Sequence, residues 1–243
     1  MDDGVFDAAA AEAYDDGVAR MYAPEVLGPT LDRLELLAGG GRVLEFASGT
    51  GRVALGLAER GLDVSGIELS ASMTAKLRAK PFGDRVPVEI GDMMSTRLHG
   101  EFSLVYLVFN TIGNVTSQDG QVEVFRNAAA HLATGGRFVI ELEVPPLQKL
   151  PMGERFYAFN VNGGYAGVDE IDVVDQLLTS HHFTVNDDGT GHIFRTPMRY
   201  AWPAELDLMA RIAGLRPESR WADWTGAPFT ADSESHVSVW VRD

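Results

Sequence analysis

The chain of 243 residues contains no cysteine. Disulfides, thiolate metal sites and a cysteine nucleophile are therefore excluded, together with any reaction route through a covalent thiolate adduct. Positive charge is also scarce: 20 Lys and Arg stand against 35 Asp and Glu, a formal charge of −15. The basic residues are scattered and form no run, so the counterion displacement that holds a phosphate backbone has no source. Nucleic acid is not an expected partner. Long apolar stretches are missing too, so no membrane span is expected. The opening Met1-Asp2-Asp3-Gly4 has neither the basic start nor the apolar segment of a secretory leader. A cytoplasmic setting is the resulting expectation.

What is present suits one large α/β domain carrying a modest insertion. Residues 8–23 are rich in Ala, include Tyr14 and Tyr22, and read as amphipathic helix; Pro24 opens a further helix over 25–37, stopped by Gly39-Gly40-Gly41. From residue 42 short apolar segments alternate with helical ones. Strands are predicted at 42–46, 63–67, 86–90, 102–109 and 137–142, with helices at 51–59, 70–80 and 121–132, the last closed by Gly135-Gly136. Segment 102–109 is strongly apolar, as a central parallel strand buried on both faces should be. Beyond Pro145-Pro146 the rhythm is lost. Antiparallel strands are predicted at 175–185 and 191–200, joined through Asn186-Asp187-Asp188-Gly189. A helix then starts at Pro203, and a terminal hairpin pairs 216–223 with 235–242. The fold expected is α/β: a Rossmann-like, mostly parallel seven-stranded sheet with a C-terminal antiparallel hairpin, plus a small antiparallel β insertion. Its units are a helical lid (1–40), a ligand-binding domain (41–145 with 201–243) and an insertion (146–200).

The chemistry concentrates where strands end, because ligands of parallel sheets sit at the carboxyl edge. Glu45-Phe46-Ala47-Ser48-Gly49-Thr50-Gly51-Arg52 is a strand running into a glycine turn that opens a helix. Glycine there lets a ligand approach the backbone. Taken alone, Gly49-Thr50-Gly51-Arg52-Val53-Ala54 also fits a dinucleotide fingerprint. Glu45 disfavours that reading, because a carboxylate ahead of the turn repels a diphosphate but suits an ammonium group. Glu68, ending the second strand, is placed to accept ribose hydroxyls. Asp92 and Met93, after the third, suit the exocyclic amine and the face of an adenine.

As an ordered set, Glu45-x-Ala47-x-Gly49-x-Gly51, Glu68-Leu69-Ser70-x-x-Met73, Gly91-Asp92-Met93 and Gly135-Gly136 resemble the motifs of class I S-adenosylmethionine (SAM)-dependent methyltransferases. The resemblance implies that Gly49 and Gly51 approach the methionine part of SAM and that Glu68 binds the ribose, with Arg52, Leu69 and Met73 among the other cofactor-binding residues. It likewise puts Asp92 and Met93 at the adenine, and Phe109 beside the sulfonium, where a ring face attracts a cation. Within that class, Phe109-Asn110-Thr111-Ile112-Gly113 and the strand insertion are similar to amino-sugar N-methyltransferases of antibiotic pathways. That likeness implies an N-terminal segment, with Tyr14 and Tyr22, closing over cofactor and substrate, and an acceptor pocket shaped by the insertion; Asn110, a turn residue at the strand end, and Asn114 are the candidates for lining that pocket. The expected partners are SAM, leaving as S-adenosylhomocysteine, and a small-molecule acceptor; a second copy of the chain is the assembly to look for. No metal is expected. If the acceptor needs a general base, His181 or His182 is the candidate, with Tyr14 positioning; adjacent strand residues face opposite ways, so only one of the histidines faces the pocket. The competing readings are an NAD(P)-dependent oxidoreductase, for which a Tyr-x-x-x-Lys pair is wanting, and a SAM-binding protein without turnover.

Overall fold

The computed structural model describes residues 6–186 and 188–243; Asp187 of the insertion turn and the Met1-Asp2-Asp3-Gly4 opening lie outside them. The chain begins with α1 (Ala8–Gly17), whose first turn is closed by Asp7, its carboxylate accepting from the amides of Ala9 and Ala10. A short 3-10 turn, Ala19–Tyr22, leads to α2 (Pro24–Ala38), with Pro24 at its first position and Gly39 left-handed at its end. The expected helical opening therefore divides into α1 and that 3-10 turn.

Next come β1 (Val43–Phe46), α3 (Arg52–Glu59), β2 (Val64–Glu68), α4 (Ala71–Ala79), β3 (Val88–Ile90), β4 (Phe102–Leu107), α5 (Gln118–His131) and β5 (Leu132–Glu143). The insertion holds β6 (Phe156–Asn162), β7 (Tyr165–Asp172), β8 (Leu177–Val185) and β9 (Gly191–Arg199), and α6 (Pro203–Ile212), β10 (Leu215–Trp221) and β11 (Ser235–Arg242) close the chain. The large sheet has the order β10-β11-β5-β4-β1-β2-β3. Only β11 runs against its neighbours, so the hairpin does not merely extend the edge: β11 is wedged between β5 and β10. Along β4, Leu104 and Tyr106 point into the core beneath α2 and α3, while Val105 and Leu107 point into the core beneath α5 and α6. From Leu104 to Leu107 both sides of the strand are therefore dry, which explains its apolar run.

Two expectations need correcting. Gly135-Gly136 does not close α5; the helix ends at His131 and β5 starts at once, with Phe102 opposite Leu132 but Leu104 opposite Arg137. The glycines occupy that bulge, and a Cβ on Gly136 would stand 2.8 Å from the Ala133 carbonyl oxygen. Second, the insertion is a four-stranded antiparallel sheet, β6-β7-β8-β9, rather than a single hairpin. Strands β6 and β7 lie outside the expected pair: neither shows a regular inward–outward alternation, and β6 is exposed along nearly its whole length.

The insertion is fastened to the large domain by a buried polar network. Arg199, 4% exposed, donates to Gln121 at 2.7 Å, Gln176 at 2.8 Å and Glu205 at 2.7 Å. Gln121 in turn donates to the Arg199 and Ile112 carbonyls, so the β9 end, α5 and α6 share one junction. That junction sets the insertion over the carboxyl edge of the parallel strands.

Candidate active site

At that edge lies a cavity of about 490 Å³, within the range of small-molecule sites. Among the residues singled out from the sequence, Tyr14, Ala47, Gly49, Glu68, Leu69, Met73, Asp92, Met93 and Asn114 line it. Tyr22, Glu45, Gly51, Arg52, Phe109, Asn110, His181 and His182 are not on its wall. Thr111, from the segment after the fourth strand, is on it too, as are Phe6, Val115, Thr116, Ser117 and Pro197, which nothing in the sequence marked. They reach the cavity through tertiary placement of a lid, a loop and a distant strand.

The wall is built by local rules. β2 ends at Glu68, whose carboxylate accepts from the Gly49 amide at 2.7 Å and from the Ser70 amide at 2.9 Å. Glu68 thereby ties the glycine turn to the start of α4 and is held in one orientation. Ser70 caps α4 by accepting from the Met73 amide at 3.1 Å, fixing Leu69 and Met73 on the wall. Asp92 accepts from the Met94 amide at 2.8 Å, so its carboxylate is oriented beside the Met93 and Met94 side chains. Acid and apolar surface therefore adjoin, as an adenine edge and face require.

The two glycines of the turn serve different ends. A Cβ on Gly49 (φ +55°) would meet nothing within 4 Å, since that side opens into the cavity. A Cβ on Gly51 (φ +88°) would meet Leu55 and Leu77 at 2.8 Å, so Gly51 allows packing rather than ligand approach. Ala47 takes a left-handed φ of 52° on the cavity wall, a conformation that costs a residue bearing a Cβ about 1 kcal/mol.

Glu45 is displaced from its expected part by the pleat of β1. It faces α3, is 3% exposed and accepts from the Ala54 amide at 3.2 Å, capping a helix whose N-cap, Gly51, has no side chain. Burial pushes its carboxyl up to about 8, against the opposing pull of Arg52. The Tyr106 hydroxyl lies close enough to lower that value somewhat, yet misses hydrogen-bond geometry and has no partner among the described residues.

Phe109 and Asn110 stand just outside, both left-handed at φ 59° and 60°. Several bonds hold the strain in place. Glu141 accepts from the Phe109 amide at 2.8 Å and from the Trp224 indole at 2.8 Å, and Asn110 accepts from the Glu143 amide at 2.7 Å. The guanidinium of Arg52 lies over the Phe109 ring at 5.3 Å, on the kind of surface the sequence reserved for a sulfonium.

The histidines divide as strand geometry demands. His181 contacts Glu170 at 3.1 Å and accepts from Arg195 at 3.2 Å. His182, on the other face, meets the Tyr165 hydroxyl at 2.6 Å between the Phe159 and Phe194 rings; burial, then His181, holds its pKa below the usual range. On the His182 face, Asp169 is pushed up by burial despite a 2.6 Å bond from Ser180. Tyr14 is likewise pushed up by burial, with Arg52 opposing. Tyr22, pushed up to about 12 by burial and Asp15, belongs to a polar cluster behind the glycine turn.

A parallel α/β sheet with an antiparallel strand wedged beside β5, and a cavity at its carboxyl edge, defines a Rossmann-like protein that takes a small ligand at the strand ends. Comparison with known proteins narrows the class. Residues 43–136 match a family described as a methyltransferase domain. The CcbJ methyltransferase from Streptomyces caelestis is 33% identical, with 100% of each chain covered and a TM-score of 0.88. A cypemycin N-terminal methyltransferase from a Streptomyces species is 28% identical over 99% of each chain. The SAM-bound amino pentose methyltransferase CalS10 from Micromonospora echinaspora shares the fold at 20% identity, covering 96% of each chain, with a TM-score of 0.71. The chain belongs to the class I SAM-dependent methyltransferases.

Proposed function

We propose that the protein transfers a methyl group from SAM to an amine nitrogen of a small molecule, with oxygen as the less favoured acceptor. The observation that carries the cofactor placement is the Glu68 carboxylate, fixed by two backbone amides on the wall between the glycine turn and the Met73–Met93 slot. Glu68 would accept from ribose hydroxyls, Asp92 from the adenine amine, and Met73 and Met93 would cover the base. Gly49 and Ala47 would border the amino-acid part, with Tyr14 and Phe6 above. When bound, SAM supplies an electrophilic methyl on a sulfonium that is displaced in line, without a metal.

The chain's part is then orientation, which contributes up to about 7–11 kcal/mol in well-aligned reactions. Residues 1–40 serve as the lid, 41–145 with 201–243 as the cofactor domain and 146–200 as the acceptor module. The acceptor side lies where Asn114 and Pro197 meet the cavity, beyond Phe109 and Asn110. Glu143, which solvent reaches although protein crowds it, feels Asp169 of the insertion, and desolvation pushes both carboxyls up. Such groups favour a cationic amine and take up its proton. His182, neutral and on the Asp169 face, is retained as a second base; His181, committed to Glu170 and Arg195, is not. Relatives named for a peptide N-terminus and an amino pentose support nitrogen as the acceptor atom.

Among the described residues no helix is long and apolar enough to cross a membrane, and we place the enzyme in the cytoplasm. Strand β6, free of charged residues and paired only to β7, suits a homodimer, because two chains of charge −15 meet most easily at an uncharged edge. Calorimetric titration with SAM, S-adenosylhomocysteine and NAD(H), followed by an amine screen, tests the proposal. Binding of NAD(H) alone would overturn it; SAM binding without turnover on any amine or phenol would reduce it to a binding protein.

A further inference from the structure

Behind the glycine turn the N-terminal segment is tied down by contacts that no ligand-binding role requires. The Phe6 carbonyl accepts from Ser70 at 2.7 Å, Glu12 pairs with Lys76, and Asp15 pairs with Lys80 at 2.5 Å. The sequence offset across these ties hardly changes, so α1 lies parallel to α4 and meets it at the start, the last turn and the end. Charge accounts for the pairing: α1 and its cap bring Asp7, Glu12, Asp15 and Asp16, whereas the end of α4 brings Lys76, Arg78 and Lys80.

The last tie is the most elaborate. Asp15 accepts from the Tyr22 hydroxyl at 2.6 Å and from the Thr50 hydroxyl at 2.6 Å. Lys80 donates to the Thr50 carbonyl at 2.9 Å and to the Tyr22 oxygen at 3.2 Å. Both hydroxyl protons are thus spent on Asp15, and the 3.1 Å contact between Tyr22 and Thr50 is a consequence, not a bond. Desolvation alone would raise the Asp15 carboxyl, but the bonds from Lys80, Thr50 and Tyr22 outweigh it and hold the group below its ordinary value. Thr50 is 1% exposed and sits between Gly49, on the cavity wall, and Gly51; Asp15 adjoins Tyr14, which covers the cavity.

We propose that Asp15, Tyr22, Thr50 and Lys80 form an electrostatic latch that holds Tyr14 and α1 over the cofactor cavity, so that cofactor exchange waits on its opening. This rests on the reading of that cavity as the cofactor site. The four are positioning residues: they act through Tyr14 and the glycine turn. Lys80 and Asp15 keep side-chain exposures of 25% and 35%, so salt reaches the pair.

The test is the dissociation rate of S-adenosylhomocysteine, followed by displacement with excess SAM. In the wild type it should rise several-fold between about 0.05 and about 0.5 M NaCl. Asp15→Asn and Lys80→Met should each raise it about tenfold at low salt, the loss of one charge-assisted hydrogen bond, and flatten the salt dependence. The double variant should be no faster than either single one, and Lys80→Arg should restore most of the wild-type rate. KM for SAM should rise while kcat stays level or increases. A wild-type rate indifferent to salt, or variant rates within twofold of wild type, would overturn the latch while leaving the cofactor reading intact. Failure of the wild type to bind S-adenosylhomocysteine at all would overturn the cofactor reading, and the latch with it.

Discussion

Replacing Glu45 by Gln should stabilise the ligand-free protein, and increasingly so as pH rises. The native carboxyl is buried under α3 and titrates at about 8, whereas the unfolded chain releases that proton at its ordinary 4.5. Between those values the unfolded state binds fewer protons than the native one, so stability falls as pH increases through the window. Each pH unit inside it costs about 1.4 kcal/mol, which gives a penalty of about 1 kcal/mol at pH 5 and about 4 kcal/mol at pH 8. Glutamine keeps an oxygen for the Ala54 amide and has no charge to desolvate, so it removes the penalty and preserves the cap. Urea unfolding of both proteins at pH 5, 6, 7 and 8 measures the gap directly. His236, buried and lowered to about 4, costs stability in the opposite direction as pH falls, but it is common to both proteins and cancels in the difference. A gap that does not vary with pH, or a variant less stable than wild type at pH 8, would refute the account of Glu45 as a protonated internal cap.

Other consequences concern the cavity, the junction and the insertion. Asp92→Ala, which removes a fixed acceptor, should weaken S-adenosylhomocysteine binding at least about tenfold in calorimetry without a large loss of stability; Gly49→Val, whose side chain would project into the cavity, should weaken it likewise and, at φ +55°, also cost about 1–2 kcal/mol of stability. Arg199→Leu should cost about 3–5 kcal/mol in urea unfolding by stranding Glu205, Gln121 and Gln176, and adding Glu205→Leu should recover part of that loss. His182→Phe should lower kcat with the accepted amine and leave SAM affinity unchanged, whereas His181→Ala should change neither kcat nor SAM affinity; steady-state kinetics separates them. Val161→Lys on the exposed edge strand should convert a dimer to a monomer in sedimentation analysis if β6 is the contact.

Several features were legible in the residues because short-range rules govern them. The apolar run of β4 announces a strand dry on both sides, Pro24 and Ser70 announce helix starts, and the acid ending β2 announces a group held at the carboxyl edge. Spacing along the chain was enough for Gly49, Glu68, Leu69, Met73, Asp92 and Met93 to reach one cavity, since each lies within a few residues of a parallel strand's end. The same rules misjudged Gly135-Gly136, where a turn dipeptide serves a bulge within β5, and β6, whose exposed residues carry no periodic signal.

Sequence alone determined the order of strands and helices from β1 to β5, the acidic surface and the motif residues that converge on the cofactor side, because hydrophobic period and turn chemistry are local. Only the tertiary structure decided which face each side chain presents and what reaches it from far along the chain. The pleat of β1 turns Glu45 away from the cavity and into the cap of α3. Charge pairing lays α1 along α4 and spends Tyr22 on Asp15 rather than on a ligand. The Arg199 junction swings β9 inward until Pro197 joins the cavity wall. Each of these depends on contacts between residues distant in sequence, whose energies no local pattern encodes.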